Sequence, residues 1–292
     1  GSGRVGRIRA YVERLADEIV AAIGYALGDL SPARLSYTHG RAGVSMNRRL
    51  PTPDGVVNSP NPDGPVDQRV PVLRVERADG SLQAVLFGYA CHNTTLGFYQ
   101  YCGDYAGYAQ EYLEEAHPGT TAPFLMGCGG DQNPYPRRTL TLAQQHGRAL
   151  ANAVEAALEW KQPQPINGPL RTALRGITLQ FATPPTRDEL NQLREKGNRF
   201  EQRRAEVLLE TLDSEGRIND EYAYPIQVVQ FGNDLTLVAL AGEVVVDYSL
   251  RLQSELKSPI VWVAGYSNDV FGYVPSLRVL KEGGYEGGGA MR

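Results

Sequence analysis

Three side chains able to hold a metal ion stand where strands are expected to end. His92 closes the apolar run AVLFGYAC, Glu243 closes LTLVALAG, and Tyr273 lies in the loop after IVWVAG. A neutral imidazole and a carboxylate are ordinary zinc ligands, and a phenol oxygen joins them when the ion's charge lowers its pKa. In open α/β sheets such groups gather just beyond the carboxyl ends of strands. Spacing adds no support, because His92 and Glu243 are far apart in the chain and no H-E-x-x-H signature is present. The plain alternative is a hydrogen-bonded strand-end histidine and an unrelated carboxylate.

Other segments are open to two readings. GCGGDQNPYP, residues 127 to 136, has glycines that permit close backbone approach and donors able to bind an anion. It reads equally as a tight turn capped by Asp131 or Asn133. GDYAGYA, residues 103 to 109, reads as a helix start with Asp104 near the N-cap. His117 and His146 sit beside charged or glycine-rich neighbours and are expected at the surface, whereas His39 follows a strand and is a candidate for the cleft of His92. Cys91, Cys102 and Cys128 form no C-x-x-C pair and read as thiols buried beside a core.

The elements that must position these groups follow from periodicity. Ile8, Val12, Leu15, Ile19 and Ile23 repeat at three- and four-residue spacing, which predicts an amphipathic helix over 6–27. A short strand is expected at 34–38, and the Pro/Gly/Asn-rich stretch after it predicts a long loop over 50–69. Strands over 70–76 and 81–90 join across Asp79-Gly80, a hairpin turn signal. The second is apolar on both faces and belongs inside a covered sheet. Helices are expected at 104–116, 139–160, 187–212 and 244–256, the third charged and opened by a Thr186/Glu189 capping box. Strands are expected at 124–126, 170–181, 224–231, 235–241 and 259–265. The sum is an α/β fold, mixed β-sheets flanked by helices.

A chain of 292 residues, 42% hydrophobic and 21% charged, has the composition of a folded domain and can bury roughly 75% of its surface. Its formal charge of -4, with no run of like charges, gives no footprint for a nucleic acid partner. No apolar stretch reaches the roughly 18 residues of a transmembrane segment, and residues 1 to 30 lack the layout of a secretory signal.

Taken in order, these segments resemble the catalytic domain of the neutral/alkaline non-lysosomal ceramidases. CHNTT followed by GDYAGYA is similar to that family's strand-end His stretch and its Gly-Asp-Asn-Lys-Gly-Tyr-Ala. Gly130 to Tyr135 stand for its Gly-Asp-Val-Ser-Pro-Asn, and Ala241-Gly242-Glu243 for its Pro-Gly-Glu-Phe. Asn268 to Tyr273 and Tyr285-Glu286-Gly287 stand for its two tyrosine motifs, and Asn47-Arg48-Arg49 echoes its Asn-Arg-Ser-Pro. The resemblance runs from about residue 35 to 292, with nothing diagnostic over 160–225.

The resemblance implies one catalytic domain, incomplete over 1–292, that hydrolyses the amide bond of a small-molecule or lipid substrate. It implies zinc bound by His92, Glu243 and Tyr273, with one further His ligand upstream of residue 1, and weak zinc binding by the present residues. Tyr285 would donate to a developing oxyanion, Arg48 would orient substrate, and Asp131 and Asn133 would belong to the catalytic loop. Asn133 stands at the family's active-site Ser and is no nucleophile, although its amide can position a water. The expectation therefore includes a ceramidase-like hydrolase of a non-sphingolipid ester, amide or lactone, and a noncatalytic binding relative. Secretion or a periplasmic address is suggested by resemblance alone, and the oligomeric state stays open.

Overall fold

The computed structural model describes residues 2–291. Helix α1 (Ser2–Gly28) leads into β1 (Ala33–Arg41), followed by β2 (Ser45–Thr52), β3 (Gly55–Asn61), β4 (Arg69–Arg77) and β5 (Leu82–Tyr89). Strands β4 and β5 form the expected antiparallel pair across Asp79-Gly80. The loop expected over 50–69 is instead largely a hairpin: β2 pairs antiparallel with β3 around Pro53-Asp54. Pro60 lies in β3, an edge strand where a missing N–H is tolerated, and the prolines hid these strands from a periodicity reading.

Helix α2 (Asp104–Ala116), β6 (Phe124–Met126), β7 (Gln132–Pro134), α3 (Leu140–Leu158) and β8 (Gln164–Ile166) come next. They complete a five-stranded sheet of order β6-β5-β4-β1-β8, and β7 joins the β2–β3 hairpin. Strand β9 (Leu170–Gln180) enters the second half, where α4 (Arg187–Lys196) and α5 (Arg199–Glu215) replace the single charged helix expected over 187–212. The break is chemical: Asn198 and Glu201 form a second capping box, so a new helix starts where the first one ends at Gly197. The pair closes over a small core of Leu190, Ala205 and Leu209.

The chain then forms β10 (Glu221–Phe231), β11 (Leu235–Leu240), β12 (Glu243–Val244), α6 (Val246–Glu255), β13 (Ile260–Ala264), β14 (Tyr273–Val274) and α7 (Leu277–Glu282). A four-stranded sheet of order β13-β11-β10-β9 results, with β11 and β13 parallel.

Alternation along the strands sets the layers. In β4 and β5, Val72, Val85 and Phe87 face α2 and α3, packing with Leu113, Leu150 and Val154. Leu73 and Leu86 point the other way and meet Leu235, Ile260 and Trp262 of the second sheet. That sheet's far face, with Val238, Leu240 and Val263, is covered by Tyr248 and Leu252 of α6. The order helix, sheet, sheet, helix explains why AVLFGYAC is apolar on both sides. Side chains such as Phe87 and Leu150 each gain about 1.5–3 kcal/mol from this burial. Among the described residues no helix is long and apolar enough to cross a membrane.

Candidate active site

Strands β5 and β6 of the first sheet and β11 and β13 of the second end on the same side of the molecule, where Gly127 bridges Ala264. The chemistry-bearing residues collect there. His92 follows β5, and its backbone N–H donates to the Gln132 carbonyl at 3.0 Å. Glu243 and Tyr273 are register partners across the two-residue parallel pairing of β12 with β14. Gly130 lets the GCGGDQNPYP turn close against this pair, because a Cβ there would lie 2.4 Å from the Glu243 carbonyl oxygen.

His92 Nδ1 lies 2.6 Å from the Gly129 carbonyl and 3.0 Å from the Gln132 carbonyl. Both partners are acceptors, so Nδ1 carries a proton, and in the neutral ring Nε2 is left with its lone pair. That Nε2 sits 2.9 Å from Glu243 Oε2. Two lone pairs at this distance repel unless a proton or a cation lies at the contact. Burial opposes ionisation of Glu243, but with a proton at that contact the hydrogen bond and charge from His92, aided by Tyr273 and Tyr266, outweigh it and hold its pKa below the ordinary value.

Two phenols complete the group. Tyr273 stacks on His92 at 6.4 Å between ring centroids and stands beside Glu243 as its register partner. Tyr266 lies 3.3 Å from both His92 Nε2 and Glu243 Oε2. Burial raises the pKa of both phenols, Tyr266 the more strongly. Tyr266 was missed by sequence reasoning, although it stands just past the end of β13, the kind of place that singled out His92 and Glu243. Its φ of 54° puts a bulky residue in the left-handed region, a strain of about 1–3 kcal/mol that such sites hold by surrounding contacts.

Arg48 reaches the group from β2. Its Nη2 donates to Tyr273 Oη at 3.0 Å and to the Gly130 carbonyl at 2.9 Å, while Nη1 donates to Asn133 Oδ1 at 3.3 Å. The guanidinium lies 5.5 Å from the ring centroids of both Tyr273 and Tyr285. Tyr285 packs edge-on to Tyr273 at 5.4 Å and is 44% exposed, and its hydroxyl has no hydrogen-bond partner among the described residues. Asn133 also accepts from Thr94 Oγ1 at 3.2 Å.

Asp131 stands behind this group. It is fully buried, and its oxygens accept from Val246 N at 2.9 Å and Asn47 Nδ2 at 3.2 Å. These bonds tie β2 to the start of α6. His39 does not join the cluster. It lines a groove of about 650 Å³ with Tyr37, Arg69 and Trp160, which shares no lining residue with the His92 group. His146, expected at the surface, is buried with Nε2 2.6 Å from the Pro136 carbonyl. His117 is partly exposed and pairs with Glu155. Cys91 and Cys128 are buried as expected, whereas Cys102 is exposed.

The donor set fits a divalent cation in type. A histidine whose far ring nitrogen donates to backbone carbonyls, as His92 does, has the usual outer support of a metal-bound imidazole. Among the described residues no group of three or more His, Cys, Asp or Glu side chains gathers, so phenols would have to supplement His92 and Glu243.

No protein-family model matches the chain, and no curated protein matches it. Among solved structures it is similar to the neutral ceramidase from Pseudomonas aeruginosa, with a TM-score of 0.70 and 22% identity over 93% of this chain and 51% of that one. It is also similar to a ceramidase complexed with C2, with a TM-score of 0.67 and 19% identity over 90% of this chain and 51% of that one. The chain thus has the fold of ceramidase structures, over a stretch that spans about half their length.

Proposed function

We propose that the His92–Glu243 group is the centre of a zinc-dependent amide hydrolase. The observation that carries the reading is the 2.9 Å contact between His92 Nε2 and Glu243 Oε2, with Nδ1 already committed to two carbonyls. Such a pair is stable with a cation beside it, and His92, Glu243 and Tyr273 would hold that cation. When bound, zinc would polarise an amide carbonyl and lower the pKa of a water.

The chain's own residues supply the rest. The Gly129 and Gln132 carbonyls hold His92 in one tautomer and one orientation. Arg48 brings a permanent positive charge to the mouth of the group. The unbonded Tyr285 hydroxyl is the free donor for charge that develops on a substrate oxygen. No serine occupies position 133, and the Asn133 carbonyl oxygen is engaged by Arg48 and Thr94. Direct attack by water therefore fits these residues better than an acyl-enzyme route.

The test is metal content with substrate profiling. The present residues are expected to take up zinc weakly, for want of a further ligand, and Glu243→Ala to lose most of that uptake. Hydrolysis of N-acyl amides should stop on chelation and return with zinc. Equal zinc content in the wild type and Glu243→Ala refutes the reading and leaves a noncatalytic binding protein. Parallel assays on ceramide, short N-acyl amides, esters and lactones decide the substrate class within it.

A further inference from the structure

Two consecutive arginines of β2 turn to one buried carboxylate. Glu286 Oε1 accepts from Arg48 Nε at 2.7 Å, and Oε2 accepts from Arg49 Nη1 at 2.7 Å. Neighbouring side chains in a regular strand point to opposite faces. The register of β2 against β3 shifts between Asn47 and Arg49, and this bulge lets both guanidinium groups reach Glu286. Asn47 fixes the bulge, since its Oδ1 accepts from Arg49 N at 2.9 Å.

The two arginines have different partners beyond Glu286. Arg49 donates to Glu282 and to the Gly283 carbonyl, which fastens it to the end of α7. Arg48 directs both Nη atoms into the site, onto Tyr273, Asn133 and Gly130. The Glu286 bond to Nε holds the opposite edge of the same planar group. A guanidinium held at Nε has its Nη edge fixed in direction, as a planar fork requires.

We propose that Glu286 is a positioning residue: by gripping Arg48 at Nε it aims the guanidinium at the Tyr273 oxygen and so sets where that phenol stands against Glu243 and His92. Glu286 acts on the site through Arg48, with its own two oxygens taken up by Arg48 and Arg49. Its significance for hydrolysis rests on the site reading given above, and its grip on Arg48 does not.

The experiment separates the two. In the metal-free protein, the Arg48 side-chain Nε–H signal in a ¹H–¹⁵N spectrum, assigned with Arg48→Lys, is expected to be resolved and protected from exchange. In Glu286→Gln it should be lost to exchange with water, while Arg49→Lys, which loosens the α7 side, should retain it. If Glu286→Gln does not fold, Glu286→Asp, which keeps the charge one methylene short, should show the same loss of protection. An Arg48 signal that stays protected in a folded Glu286 variant overturns the proposal.

With a turning-over wild type, Glu286→Gln should lower kcat by about 10–100-fold with KM little changed. An equal kcat loss in Arg49→Lys reduces Glu286 to a strut and also overturns it. A wild type without zinc or hydrolysis removes the reading of the site and leaves the spectroscopic result standing.

Discussion

Helix α3 lays its apolar stripe on α2 and the first sheet, whereas α1, with larger residues in its stripe, leaves it open to solvent. Along α3 the inward positions include Ala143, Gly147, Leu150, Ala151 and Val154, all buried. Along α1 the stripe consists of Val12, Leu15, Ile19 and Ile23 among others, all exposed, and Tyr11 reaches the body through a ring contact with Tyr101. Small residues let α3 come close: a Cβ at Gly147 would meet Tyr108 Cβ at 2.5 Å and the Tyr105 carbonyl at 2.8 Å. The two helices teach that a 3.6-residue period announces an apolar face and says nothing of what covers it.

The contrast is open to breaking by measurement, beginning where the effect is greatest. Leu150→Ala empties a fully buried position and should cost about 2–5 kcal/mol in urea denaturation. A cost near zero there would mean that the α3 layer is not packed as described.

A middle-sized effect comes from the buried polar group, Asp131. Burial is the main cause that lifts its pKa to about 6 from the ordinary 3.8. A carboxyl with a raised native pKa favours the fold when protonated. Its contribution is therefore complete below pH about 4 and is lost as pH rises through about 6. Asp131→Asn should flatten that fall in stability between pH 4 and 7, at the expense of one of the two hydrogen bonds. A variant whose stability falls over the same interval as steeply as the wild type's removes Asp131 as the cause.

The smallest effect is expected in α1, where Ile19→Ser should change stability by no more than about 0.5 kcal/mol. If it instead matches Leu150→Ala in the same titration, the α1 face is covered in solution and the contrast between the helices disappears.

Legibility in the sequence followed the range of the interactions. Strands β5, β11 and β13 and helices α2 and α3 announce themselves by local periodicity, and with them the strand-end places of His92 and Glu243. The pairings β12–β14 and β2–β7 are two or three residues long and depend on partners far off in the chain, so no local pattern marks them. The break at Gly197 was readable, because Asn198 and Glu201 spell a capping box as clearly as Thr186 and Glu189 do. Glu286 was half readable: Arg48 and Arg49 side by side call for a counter-charge, but only the folded chain tells which carboxylate supplies it.

One consequence follows from the pairing of Glu243 with Tyr273 across β12 and β14. Because neighbouring strand residues face opposite ways, the loop over 265–272 has a length that is counted as well as a shape. Substitutions in it leave the count alone. Inserting or deleting one residue would present Gly272 or Val274 to His92 in place of the phenol, so natural or engineered length variants of this loop should lose Tyr273 from the group while keeping the fold.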